Sequence, residues 1–274
     1  MKRNIKKFLF PAVAVAVLSF AACSDRTETE SLDINYPTLE EQNPELYKQY
    51  LKALRDYKAG EHKVVLVSMD NTTSAPAQRN EHLTTMPDSV DIICLMNPDN
   101  LHPTLAGEFA KVREKGTRVI YNIDYNAIEK LWEKVLADEE ANKPEEPANP
   151  STPEATQDEG GEGGGEGEPT PEEELELRFL EFCRQQTVSQ LNLCAKYGYD
   201  GVQVNYTGRA PQAMQEEEKA QYAARQEAFF SNVKTWSGAN SGKVLVFQGN
   251  PQNLIDKSVL GECDYIVIPA LTAT

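Results

Sequence analysis

The 274-residue sequence predicts an α/β fold around a parallel sheet, either doubly wound or curled as a (β/α) barrel. Three observations predict it. Six short runs of β-branched and aliphatic residues recur along the chain, polar loops follow them, and stretches with helical apolar spacing separate them. Parallel strands need crossovers of a dozen or more residues, usually helices, and this alternation supplies them.

Taken in order, residues 40–57 place Leu46, Tyr50, Leu54 and Tyr57 at helical spacing and predict a helix leading into the domain. Residues 63–69 (KVVLVSM) and 90–96 (VDIICLM) read as the first two strands, with a helix over 101–115. A third strand spans 118–125, followed by a helix over 125–138 that resumes after an interruption at 172–197. The fourth strand is 201–207, then come a helix at 212–236, a fifth strand at 243–248, a helix at 252–260 and a sixth strand at 265–268.

The interruption, residues 138–176, contains Pro-Glu, Asn-Pro and GGEGGGEGE stretches and few aliphatic side chains. It cannot bury enough apolar surface to offset its conformational entropy, so a disordered insertion is predicted. It holds 15 acids against one lysine. Those acids have no fixed spacing, which favours a solvated loop over a calcium or docking site.

Residues 1–22 read as a signal peptide, with a basic start (Lys2, Arg3, Lys6, Lys7) and an apolar run from Phe8 to Ala22. Phe20-Ala21-Ala22-Cys23 resembles a bacterial lipobox, in which Cys23 becomes the acylated first residue; Phe20 departs from the usual Leu. A plain signal peptide with an incidental cysteine is the alternative. Residues 23–39 are polar and suit a lipidated flexible tether. Ser24 carries no Asp-type retention signal, and Asp25, Glu28 and Glu30 resemble acidic surface-export tethers. The expected location is the outer membrane, held by the lipid anchor only and exposed at the cell surface.

The net charge of −16 argues against nucleic acid and anionic lipid, which draw affinity from clustered Lys and Arg. Without the signal peptide and the insertion, the chain carries 28 acids against 22 bases. The acidity is therefore a property of one loop, and a nearly balanced domain suits a neutral ligand. Cys94, Cys183, Cys194 and Cys263 show no metal-ligand spacing, and His62, His82 and His102 are scattered. No metal or cofactor is expected, and the cysteines read as small buried hydrophobes.

The richest segment is Tyr197-Gly-Tyr-Asp200-Gly201-Val202-Gln203-Val204-Asn205-Tyr206-Thr207. With period two, Gln203, Asn205 and Thr207 share one strand face and the valines take the other, against helices. In a barrel the polar set points into the lumen at the strands' carboxyl ends, where barrel sites lie.

This segment resembles the D-G-x-D-x-D-x-E motif of glycoside hydrolase family 18, the chitinase and endo-β-N-acetylglucosaminidase family. Asp200-Gly201 matches; Gln203 and Asn205 stand at the second and third Asp, and Thr207 stands at the catalytic Glu. His62-Lys63-Val64-Val65 as a first strand and Pro87-Asp88-Ser89-Val90-Asp91 before the second support the resemblance over roughly residues 40–274. It implies a TIM-type (β/α) barrel domain over 40–274, interrupted by the insertion. Six strands precede Thr274 where such a barrel has eight, so the barrel is expected to be incomplete at the C-terminus, either because the chain is truncated or because its closing strands come from elsewhere. The sixth strand also lacks the family's substrate-contacting Tyr.

In this family the Glu protonates the glycosidic oxygen while the substrate's own acetamide attacks, and the neighbouring Asp orients that acetamide. Thr207 has no proton to give near neutral pH, so no catalytic residue is expected; a general acid is worth about 10²–10⁴-fold. The implied function is glycan binding without cleavage, with Gln203, Asn205, Thr207, Asp124, Asn122, Gln248 and Asn97 as ligand-binding candidates and Asp70 beside them. The implied ligand is an N-acetylglucosamine-containing oligosaccharide, such as an N-glycan core or chitin-like fragment, within a glycan-uptake system that includes other surface proteins. Alternatively, the Gln203, Asn205 and Thr207 trio merely fills the interior. Two rival functions stay open: a glycosidase in which Asp124 supplies the acid, and a protein-docking scaffold. Among aromatic residues able to stack on a sugar, Tyr121, Tyr125 and Tyr206 lie on strands; Trp132 reads as core, and Trp236 falls on the far side. Sequence alternation does not decide whether Asn122 and Asp124, or Tyr121, Ile123 and Tyr125, face inward.

Overall fold

The computed structural model describes residues 37–143 and 169–270. The expected signal peptide, Cys23, most of the expected tether and residues 144–168 of the expected insertion lie outside the described residues. The chain divides into two units, one ending at Gln49 and one running from Tyr50. In the first, Thr38 and Glu41 form a reciprocal cap at the start of α1 (Leu39–Gln42), and Asn43 caps α2 (Pro44–Ala59), whose second half belongs to the other unit.

The second unit contains one six-stranded sheet in the order β1-β2-β3-β4-β5-β6, every pairing parallel. Its strands are β1 (Leu66–Met69), β2 (Ile92–Leu95), β3 (Arg118–Asp124), β4 (Gly201–Tyr206), β5 (Val244–Gly249) and β6 (Tyr265–Val267). Between them run α3 (Pro103–Glu114), α4 (Tyr125–Ala141), α5 (Pro171–Tyr197) and α6 (Glu216–Ala239). The order decides between the two folds left open by alternation. A doubly wound sheet reverses its direction of growth; here each crossover steps one strand onward, so right-handed crossovers stack on one face and the sheet curls around the other. The result is an incomplete TIM-type barrel.

Period two sorts the side chains. Val119, Tyr121 and Ile123 of β3, Val202, Val204 and Tyr206 of β4, and Leu245 and Phe247 of β5 join Phe109, Phe179, Leu191, Phe229 and Val233 of the helices in the main core. The concave face carries a smaller apolar cluster, Ile92, Cys94, Ile120, Val244 and Val246, flanked by Leu66, Tyr265 and Val267. Cys183 and Cys194 are buried along α5, and Cys94 on the concave face.

Asp200-Gly201 has a structural task. Asp200 accepts from the Val119 amide at 2.9 Å and from Arg113 Nε at 3.0 Å, tying the start of β3 to α3. Gly201 lies so close to β5 that an added Cβ would fall 2.1 Å from the Val244 carbonyl oxygen. α5 begins with Thr170 and Glu173 as a capping box and ends at Gly198 in the left-handed region, φ 70°.

Three expectations are corrected. The helix expected over 252–260 is two 3₁₀ turns, Pro251–Asn253 and Ser258–Gly261; Gln226 Oε1 accepts from the Ile255 amide and holds that backbone in a non-helical path. The first strand starts at Leu66, because the Val65 amide donates to the Asp91 carboxylate. Helix covers both ends of the expected insertion, since α4 runs to Ala141 and α5 starts at Pro171.

Candidate functional site

The polar end of the concave face is built in two rungs. Asn122 of β3 sits opposite Gln203 of β4, and one step further Asp124, Asn205 and Gln248 lie in register across three strands. Asn122 and Asp124 therefore face inward, and Tyr121 and Ile123 face the helices. Gln203 is fully buried. Its Nε2 donates to Asn122 Oδ1 at 3.1 Å and to Gln248 Oε1 at 2.6 Å, so one amide ties three strands. Its own Oε1 is buried without a partner among the described residues. A buried acceptor left so costs about 1–3 kcal/mol, which a ligand donor or a water would recover.

The other candidates have separate surroundings. Asn205 is half-buried, and its side chain makes no hydrogen bond among the described residues. Asp124 caps α4 through Oδ1, which accepts from the Asn126 amide at 3.0 Å, a favourable place for a negative charge. Thr207 lies just past the end of β4; its hydroxyl accepts from Asn126 Nδ2 at 3.0 Å, and its carbonyl accepts from Asn250 Nδ2 at 3.2 Å and Asn253 Nδ2 at 2.7 Å. The strand expected to include Thr207 thus stops one residue short, and three asparagines hold that turn. Asn97 Nδ2 donates to Asp70 Oδ1 at 2.8 Å and to the Asn71 carbonyl at 2.7 Å. Asn71 in turn brackets the Asn97 backbone with both ends of its amide, stapling β1 to β2.

A cavity of about 500 Å³ opens over the carboxyl ends of β1, β2 and β3. Asp70, Asn97, Asn122 and Asp124 line it, joined by Asp99 and by Gln190 of α5. Gln203 and Gln248 reach this wall only through the Asn122 amide, and Asn205 and Thr207 are not part of it. Among the described residues the wall contains three carboxylates, no lysine or arginine and no aromatic ring. Its size falls within the range of small-molecule pockets.

The tyrosines are not stacking platforms. Tyr206 is 1% exposed, packs between Tyr125 and Phe230, and its hydroxyl accepts from Gln226 Nε2 at 2.8 Å; burial pushes its pKa up to about 12. Tyr121 is also buried, and its hydroxyl donates to the Gln190 carbonyl at 2.7 Å. Burial raises the Tyr121 and Tyr125 pKa values well above the usual phenol. Trp132 packs on Phe179 and Phe182 in the helix layer. Sequence reading missed Asn71, Asn126, Asn250 and Asn253. Asp124-x-Asn126 is a capping pattern, and Asn71 follows the first strand directly; both were readable as strand-end polar groups.

Polar groups gathered at the carboxyl ends of a curled parallel sheet are the arrangement of a (β/α)-barrel site. The profile of glycoside hydrolase family 18, BT1044-like, matches residues 27–158 and 172–274, and the chain belongs to that family. A variant of BT1044 is 17% identical with a TM-score of 0.49, covering 85% of this chain and 65% of its own. The glycoside hydrolase domain of PelA from Pseudomonas aeruginosa is 13% identical with a TM-score of 0.36, covering 76% of this chain and 67% of its own. This chain therefore spans just under two thirds of the BT1044 chain. No curated protein matches it.

Proposed function

We propose that this family 18 member binds an N-acetylglucosamine-containing oligosaccharide without hydrolysing it, as a lipid-anchored outer-membrane protein exposed at the cell surface. The observation that carries the reading is the state of Thr207. The family motif places its acid there, and this residue offers a hydroxyl already engaged with Asn126. Proton donation to a leaving oxygen by the family mechanism has no source at that position. The neighbouring cavity supports sugar binding: Asn97, Asn122 and Gln190 bring neutral amides to its wall beside the carboxylates of Asp70, Asp99 and Asp124, all groups that can hydrogen-bond sugar hydroxyls, and among the described residues no lysine or arginine lines it to attract an anionic ligand.

Calorimetric titration with a chitobiose-containing glycan tests this reading, together with an assay for reducing ends. Saturable heat with no sugar released supports it. Absence of heat with any HexNAc ligand would favour a docking scaffold for other surface proteins of an uptake system. A second reading rests on Asp124, whose carboxylate lines the cavity one rung above Asn122. If Asp124 supplies the acid, sugar release is measurable and Asp124→Asn abolishes it.

A further inference from the structure

At the opposite, amino-terminal mouth of the sheet, a second cavity of about 230 Å³ lies among the starts of β2, β3 and β6. α2 contributes Arg55 and Lys58, the loop after it His62, β3 its first residue Arg118, and β6 its first residue Tyr265. Gly116, at φ 77°, allows the two α2 side chains to lie against the start of β3; an added Cβ would meet Lys58 Cδ at 3.3 Å and Arg55 Cγ at 3.4 Å.

The charge of this wall is the reverse of the chain's. The whole sequence carries −16, yet here two arginines, a lysine and a histidine face one acid, Asp91. That acid is fully used: Oδ1 meets His62 Nε2 at 3.0 Å, and Oδ2 accepts from the Val65 amide at 2.7 Å. Arg55 donates to the Glu114 carbonyl at 2.7 Å, and Lys58 Nζ to the Val90 carbonyl at 2.6 Å and Thr117 Oγ1 at 2.8 Å. These acceptors are all neutral. The Arg118 side chain makes no hydrogen bond, and none of the three cations forms an ion pair, among the described residues. Burial already pulls the Lys58 pKa below its usual value. That desolvation outweighs the attraction of Asp91 and Asp88, and an anion in the cavity would favour the charged ammonium against it.

We propose that this cavity is an oxyanion site that takes a phosphate or sulfate group on the guanidinium fork of Arg118 and the remaining proton of the Lys58 ammonium. Tyr265 completes the wall. Arginine suits this task because its planar fork matches two oxygens of such a group at once. The site shares no residue with the cavity at the carboxyl ends, so an anionic group and a neutral glycan can be held together.

The test is an NMR titration of the full chain with inorganic phosphate at ionic strength held constant with sodium chloride, reading the amides of Gly116 and Arg118. Saturable shifts are expected, weakened about ten- to a hundred-fold in Arg118→Gln, as loss of a charge-assisted hydrogen bond implies. The Arg118 side chain is exposed, so an unchanged melting temperature verifies that the variant stays folded. Glucose 6-phosphate separates the sources of the group: tighter binding than inorganic phosphate assigns an ester on a larger molecule, and equal or weaker binding assigns the free ion. Absence of saturable shifts at these amides, or an Arg118→Gln protein that binds phosphate like the parent, overturns the assignment.

Discussion

Gln203 Nε2 donates to Gln248 Oε1 at 2.6 Å across β4 and β5, from a side chain with no exposed surface. The same nitrogen reaches Asn122 on β3, so the floor of the candidate site is a line of amides with one acceptor, Gln203 Oε1, left over. Gln203→Ala removes this tie and leaves the buried Asn122 oxygen and the half-buried Gln248 oxygen without their donor. A loss of about 1–3 kcal/mol in urea unfolding is expected, from the unsatisfied Asn122 acceptor together with a cavity, partly offset by removal of the unpartnered Gln203 Oε1.

Thr207 separates a structural from a ligand-contacting role. Its hydroxyl is held by Asn126, and it is not in the cavity wall. Thr207→Val is expected to cost about 1 kcal/mol of stability through that one hydrogen bond, and to change glycan affinity less than about threefold, below half of the 1.4 kcal/mol that a tenfold change represents. Unfolding curves and titration calorimetry on the same variant check both.

Gly201→Ala places a methyl group 2.1 Å from the Val244 carbonyl oxygen. Backbone, unlike a flexible side chain, cannot yield, so β4 and β5 must separate. The expected destabilisation is about 3 kcal/mol or more, read as a large drop in melting temperature or loss of soluble protein.

His62 gives a pH dependence of definite sign. The Gly60 carbonyl, and after it the Asp91 carboxylate, raise its pKa above the ordinary imidazole value. The folded chain therefore holds that proton more tightly than the unfolded chain. The resulting stability is fully present below the unfolded pKa, about 6.5, and is lost as pH rises through the raised folded value. Urea unfolding at pH 5.5 and pH 8.5 should show the parent losing more stability across that interval than His62→Gln does.

Much of this fold was legible because period and punctuation agreed. The VQVNY alternation put Gln203 and Asn205 on one face and the valines on the other, and the structure keeps that division. Tyr197-Gly198 ends a helix because only a glycine readily takes φ 70° there. The choice between doubly wound and barrel lay in strand order, which no local pattern carries. The 3₁₀ turns around Pro251 and Ser258 were misread as a helix, since the Gln226 side chain that satisfies the Ile255 amide comes from a distant part of the chain. Tyr206 was among the aromatic residues able to stack on a sugar, but it lies on the helix-facing side of β4, where Gln226 satisfies its hydroxyl. The cavity draws on β1, β2 and β3 more than on the motif strand, because Asn71, Asn97 and Asp70 meet only through the pairing of β1 with β2.

The most direct measurement is one incubation of the full chain with a chitobiose-containing glycan, followed by calorimetry for binding and by quantification of new reducing ends. Saturable binding is expected, weakened at least about tenfold by Asn122→Ala, the loss expected for a buried amide contact, with no sugar released by either protein. Release of sugar by the parent, abolished in Asp124→Asn, would instead make the protein a glycosidase with Asp124 as its acid.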